Sequence, residues 1–182
     1  MENSDSDFIA ASRKRLDVEW KAIAKSVALF KCIGEIFRLF DEVRCSDINA
    51  ADANAGRAAD VECVAGGRIV LAVEVKDGKL KLRHAQDKLP AAREKGIREL
   101  LFLVRRGMDR EESDGISSLI AREFITGQNI YVCEFEEFLH SCLVLFGEGG
   151  RRKFLCAVGI ELDSQRVGIE HRKDWAGLLG KV

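Results

Sequence analysis

The run Arg68-Ile-Val-Leu-Ala-Val-Glu-Val-Lys76 constrains this chain more than any other segment, because it is apolar almost to its end, where Glu74 and Lys76 stand two positions apart. It reads as a buried strand, and alternation along a strand puts Glu74 and Lys76 on one face. Desolvating unpaired charge costs several kcal/mol or more. A core strand that closes on a carboxylate and an ammonium therefore needs a compensating partner, and a divalent cation is one.

A second acid precedes this strand. Asp60 lies in Ala59-Asp-Val-Glu-Cys-Val64, and Ala65-Gly-Gly-Arg68 reads as the turn of an antiparallel hairpin. A two-residue Gly66–Gly67 loop would pair Asp60 with Val73 and send it to the face opposite Glu74. A three-residue loop, Gly66 to Arg68, pairs Asp60 with Glu74, and so does a bulge, because a one-residue slip flips every side chain. In the second register Val61, Cys63, Ile69, Leu71, Val73 and Val75 share the other face as a core side. Asp60, Glu74 and Lys76 would then converge as a metal-dependent phosphodiesterase centre. The bland alternatives are a strand-end ion pair for Glu74 and Lys76, a turn residue for Asp60, and a Gly66–Gly67 hairpin that keeps them apart.

At 182 residues the chain is long enough to bury a core in one domain, expected over 8–182 after a disordered 1–7. The six cysteines are scattered singly without Cys-X-X-Cys spacing, which reads as buried free thiols in a reducing cytoplasm. Met1 to Asp7 is polar, and no apolar run approaches the ~20 residues that span a bilayer, so the expectation is a soluble cytoplasmic protein. The net charge of −1 argues against a general polyanion binder, yet Lys76 to Arg98 holds eight Lys or Arg against three acids. That basic stretch begins at the proposed centre and reads either as a guide for a phosphate backbone or as a solvated helix face.

Spacing predicts a long helix over Phe8 to Phe40 with an unusually wide apolar arc, one part for a sheet and another for more helix or a second subunit. Glu42 to Ile48 reads as a short strand, 49–56 as a loop, and Leu82 to Lys95 as a helix kinked or split by Pro90 and capped by Gly96. Strands at Arg98 to Val104 and Asn129 to Cys133 alternate with helices at Glu111 to Thr126 and Glu136 to Phe146, which implies parallel crossovers. Gly147 to Lys153 reads as an interhelical loop, followed by closing helices at Arg151 to Leu162 and His171 to Leu179.

The order of these elements, with Asp60 on one hairpin strand and Glu74-Val75-Lys76 on the next, resembles the PD-(D/E)XK, or restriction-endonuclease-like, nucleases. Ala59 stands where the proline usually named in that motif would be. More narrowly, Ala59-Asp-Val-Glu62, Ile69 to Asp77, Gln86-Asp-Lys-Leu-Pro-Ala-Ala-Arg-Glu-Lys-Gly96 and Glu99-Leu-Leu-Phe102 are similar to the SacI-type restriction endonucleases. The resemblance implies an α/β fold with an αβββαβ core, a mixed central sheet flanked by helices, and additional C-terminal helices. It implies a Mg²⁺-dependent endonuclease of restriction type acting on double-stranded DNA as a homodimer, with Asp60, Glu74 and Lys76 catalytic and Asp60, Glu74 and the Val75 carbonyl holding the metal. Glu62, Gln86 and Glu35 are candidate accessory residues, each also readable as a solvated side chain. Lys79, Lys81 and Arg83 are the candidate DNA contacts, with Arg105, Arg106, Arg110, Arg151, Arg152 and Lys153 as further surface candidates. Competing readings are a repair or junction-resolving nuclease, and an inactive DNA- or protein-binding module on the same fold. His84, His140 and His171 lack a ligand partner in sequence and read as surface or packing residues.

Overall fold

A computed structural model describes residues 21–45 and 59–164, the side chains of 158–164 excepted. Expectations that fall on 1–20, 46–58 and 165–182, including the start of the first helix, the 49–56 loop and the His171 to Leu179 helix, lie outside the described residues. Helix α1 covers residues 21–37. Strands β1 (Glu42–Cys45), β2 (Val61–Ala65) and β3 (Arg68–Lys76) follow, then α2 (Leu82–Glu94), β4 (Glu99–Val104), α3 (Ser113–Ile125), β5 (Asn129–Glu134) and α4 (Phe135–Ser164).

The five strands form one sheet in sequential order, antiparallel from β1 to β3 and parallel from β3 to β5. Helices α2 and α3 are the crossovers that parallel neighbours require. They cover one face, over Ala72, Leu100, Phe102 and Val104. Helices α1 and α4 cover the other, over Val61, Cys63, Val73, Val75, Leu101 and Leu103. The wide apolar arc of α1 is thereby explained: Ile23 and Val27 belong to the core over the sheet, while Phe30 stacks on Phe138 and Phe37 meets Phe146, both of α4. The first helix stops three residues short of Phe40, whose ring folds back so closely that a Cβ on Gly34 would lie 2.8 Å from it.

The β2–β3 hairpin decides the register by a combination of the two alternatives. Its turn is the two-residue Gly66–Gly67 loop, because Ala65 faces Arg68. Both glycines have positive φ, 57° and 76°, the backbone that matches strand twist in a tight hairpin and that side chains with a Cβ resist. The three-residue loop is not formed. Past the turn, Val64 pairs with Ile69 but Cys63 pairs with Leu71, so Val70 is a bulged extra residue. The bulge restores the shift: Val61 faces Val73, and Asp60, one residue earlier, falls opposite Glu74. It also corrects the expected core face, because Ile69 packs with the cluster under α2 rather than with Leu71, Val73 and Val75.

Two further expectations change. Pro90 lies inside α2 without splitting it. Gly147 to Lys153 is helical apart from one break at Gly147 (φ 64°) inside α4, so Arg151, Arg152 and Lys153 stand on a helix and not in a loop. Of the cysteines, only Cys32, Cys63 and Cys142 are buried; Cys133 is partly covered, and Cys45 and Cys156 are exposed. Helices α2 and α3 are tied by Glu123, which is fully buried and ion-paired with Arg93 and Arg122. Among the described residues no helix is long and apolar enough to cross a membrane.

Candidate active site

Strand β3 brings Glu74 into the layer under α2, where its register partner on β4 is the fully buried Phe102. Only 1% of Glu74 is exposed. The carboxylate is met by two ammonium groups: Lys76 Nζ lies 2.6 Å from Oε1 and Lys88 Nζ, from α2, lies 2.8 Å from Oε2. Asp60 is tied to the same strand by a hydrogen bond that the Val75 amide donates to its Oδ2 at 2.8 Å. Three of the sequence-predicted site residues, Asp60, Glu74 and Lys76, are therefore together at the carboxyl end of β3.

The electrostatics show two carboxylates crowding one small desolvated space. Burial first, and then the charge of Glu74, push the Asp60 carboxyl up to about 6, against the opposing pull of the Val75 amide, Lys88 and Lys76. Low-dielectric surroundings and a like charge both disfavour the ionised form. A cation among these oxygens would relieve both effects. Glu74 Oε2 is suited to one, because it is buried and has no hydrogen-bond partner despite its ionic contact with Lys88. The Val75 carbonyl leaves the strand on the same edge as its amide and so opens toward Asp60. Among the described residues no three His, Cys, Asp or Glu side chains form a metal cluster. Two carboxylates and a backbone carbonyl still suit Mg²⁺, which keeps several waters and takes one or two carboxylates plus phosphate oxygen.

The remaining candidates divide sharply. Glu62 is not a solvated carboxylate: it is 5% exposed and pairs with Lys95 Nζ at 3.2 Å. Gln86 is exposed. Glu35 is exposed on α1 and pairs with Lys153 of α4, lining a groove beside Arg38, Asp41 and Glu42; it is not brought to the centre. Lys79, Lys81 and Arg83 are exposed on the loop after β3 and the start of α2, beside the centre. Arg151 Nε instead donates to the Leu143 carbonyl at 2.6 Å, and Arg152 pairs with Glu148 at 3.3 Å.

Two residues of the site escape a reading of the sequence alone. There, Lys88 counts only toward the basic stretch, and His84 reads as a surface or packing residue. The two sit four apart on α2, on the stripe His84, Lys88, Ala91, Lys95 that borders the buried Ala85, Leu89 and Ala92. His84 Nδ1 is buried without a hydrogen-bond partner. Burial, then the positive charges of Lys76, Arg83 and Lys81, hold its imidazole below the usual range, with Asp87 opposing. On the other side of β3, Lys21, Lys25, Lys76 and Arg105 line a cleft of about 240 Å³ together with Asp77 and Glu136. Lys76 belongs to both the centre and this cleft.

A mixed five-stranded sheet between helical layers, with an acid pair and a lysine at the end of its third strand, defines a restriction-endonuclease-like α/β domain. The SacI restriction endonuclease C-terminal domain family matches residues 17–107, a stretch that contains Asp60, Glu74, Lys76 and Lys88. The chain belongs to that family. No curated protein matches it.

Proposed function

We propose that the protein is a Mg²⁺-dependent endonuclease of restriction type that hydrolyses phosphodiester bonds in double-stranded DNA. The observation that carries this reading is the bulge-set register that brings Asp60 opposite the Glu74–Lys76 pair. Family membership supports the same chemistry. Asp60, Glu74 and the Val75 carbonyl would hold the metal. When bound, Mg²⁺ supplies charge for the developing phosphorane and acidifies a water.

The chain's own residues do the rest. The Lys76 ammonium is one-quarter exposed and anchored 2.6 Å from Glu74. It would orient the attacking water and neutralise a phosphate oxygen. The Val75 amide fixes the Asp60 carboxylate through its hydrogen bond, so one metal-binding oxygen is positioned before substrate arrives. Lys79, Lys81 and Arg83 would contact the DNA backbone next to the α2 side, and Lys21, Lys25 and Arg105 on the cleft side. Cutting both strands requires two centres, which a homodimer provides.

Incubating the protein with unmethylated plasmid and genomic DNA, with and without Mg²⁺, tests the reading. Discrete Mg²⁺-dependent fragments are expected, reduced about a hundredfold or more in Glu74→Ala and Lys76→Ala. Equal cutting by wild type and both variants would remove this centre from consideration. DNA binding without cutting under every metal condition would favour a binding module on the same fold.

A further inference from the structure

Among the described residues, Lys88 is the cation that reaches Glu74 from a different layer of the fold. Its Nζ lies 2.8 Å from Oε2, yet Oε2 has no directed hydrogen bond. The contact is an ion pair rather than a directed hydrogen bond. The other end of the pair is immobile, since Glu74 is buried and its Oε1 is held by Lys76 at 2.6 Å. Lys88 is 29% exposed on the border of α2, and four methylenes let its ammonium turn outward without moving the helix.

Resting on the metal-centre reading above, we propose that Lys88 is a displaceable counter-ion: it pairs with Glu74, yields to a divalent cation, and turns outward to a non-bridging oxygen of the incoming phosphodiester. Charge requires the exchange. Lys76, Lys88 and a dication around the Asp60 and Glu74 carboxylates would leave net positive charge and repel each other at close range in a weakly screened pocket. The dication can keep water ligands that an ammonium cannot offer, and Lys88, on the border of α2, can turn outward with its own side chain. Lys79, Lys81 and Arg83, exposed on the loop after β3 and the first turn of α2, add further positive charge around the start of the same helix. The phosphate then supplies the negative charge that Lys88 gave up. Metal loading and phosphate binding are coupled through one side chain.

Calorimetric titration of the DNA-free protein with Mg²⁺ and with Ca²⁺ tests this without relying on activity. Lys88→Met should bind either ion on the order of tenfold more tightly than wild type, whereas Lys88→Arg should not gain affinity because it keeps the charge. In wild type, Ca²⁺ should strengthen binding of a short DNA duplex, and Lys88→Met should lose most of that gain. Unchanged or weaker ion binding in Lys88→Met, with ion binding still lost in Glu74→Gln, would overturn the exchange and leave the metal centre standing. Ion binding that is the same in wild type and Glu74→Gln would overturn both.

Discussion

Asp60 ionises in surroundings that favour its protonated form, and this has a measurable cost. Its carboxyl is raised to about 6 from an ordinary 3.8. A raised folded-state value gives a stability contribution that is full below about pH 4 and is lost as pH rises through about 6. In the metal-free protein, Asp60→Asn should therefore unfold at a higher temperature than wild type at pH 8, by about 1–3 kcal/mol of stability. The gain should shrink as the pH falls through 6 and vanish near 4, in melting curves recorded across that range. A pH-independent difference would mean that Asp60 is not desolvated beside Glu74. By the same sign, if Asp60 ligates the metal as proposed, divalent binding by wild type should weaken as the solution is acidified through about pH 6, because a carboxylate ligand binds in its ionised form. Titration of the metal at a series of pH values measures it.

Which residues are legible in sequence follows from how far apart their partners lie. Glu74 and Lys76 are two apart on one strand, and their shared face follows from alternation alone. Lys88 joins them across a strand-to-helix packing that no local period encodes. A signal exists in the stripe His84, Lys88, Ala91, Lys95, which runs along the edge of α2's buried face where charged side chains meet the neighbouring layer. Glu62 passes for a solvated acid for the same reason, since its partner Lys95 lies on that stripe.

At the scale of elements, the hairpin shows why the register is legible only as a pair of alternatives. The glycines mark a turn, and a tight Gly66–Gly67 turn alone separates Asp60 from Glu74. The correction lies at Val70, an ordinary β-branched residue whose sequence carries no mark of a bulge. Ile69 accordingly ends on the side opposite the one alternation gives. The turn itself makes a prediction. Gly67→Val puts a β-branched residue at φ 76° and should cost about 1–2 kcal/mol in urea unfolding. Gly66→Asn, which suits this turn type, should cost little. Deleting Val70 should be more damaging to cleavage than to folding, because it sends Asp60 to the wrong face; a circular dichroism spectrum beside a cleavage assay separates the two effects. Helix α4 is legible as two helices, and the break at Gly147 confirms the division, but the loop expected there collapses to a single residue.

For the molecule as a whole, the sheet order and the two helical layers follow from features the sequence displays openly: an antiparallel hairpin, then alternating strands and helices. The cleft beneath Lys76 does not, because it is built from α1, the ends of β3 and β4, and the start of α4. If DNA crosses there, Lys25→Ala and Arg105→Ala should each lower the slope of log binding constant against log salt by about one, because each variant leaves one phosphate un-neutralised. Binding measured in chelator over a range of salt concentrations reads this directly, and an unaltered slope in both variants would move the DNA path to the Lys79, Lys81 and Arg83 side.

The bulge at Val70 has a consequence for how such a chain can change over time. Because side chains alternate, the meeting of Asp60 and Glu74 depends on whether the number of residues between them is odd or even in effect, and the turn and the bulge jointly fix that parity. A single insertion or deletion within 61–73 would sever the pair, whereas two compensating ones would leave it intact. Length variation along this hairpin should therefore be inherited in even steps.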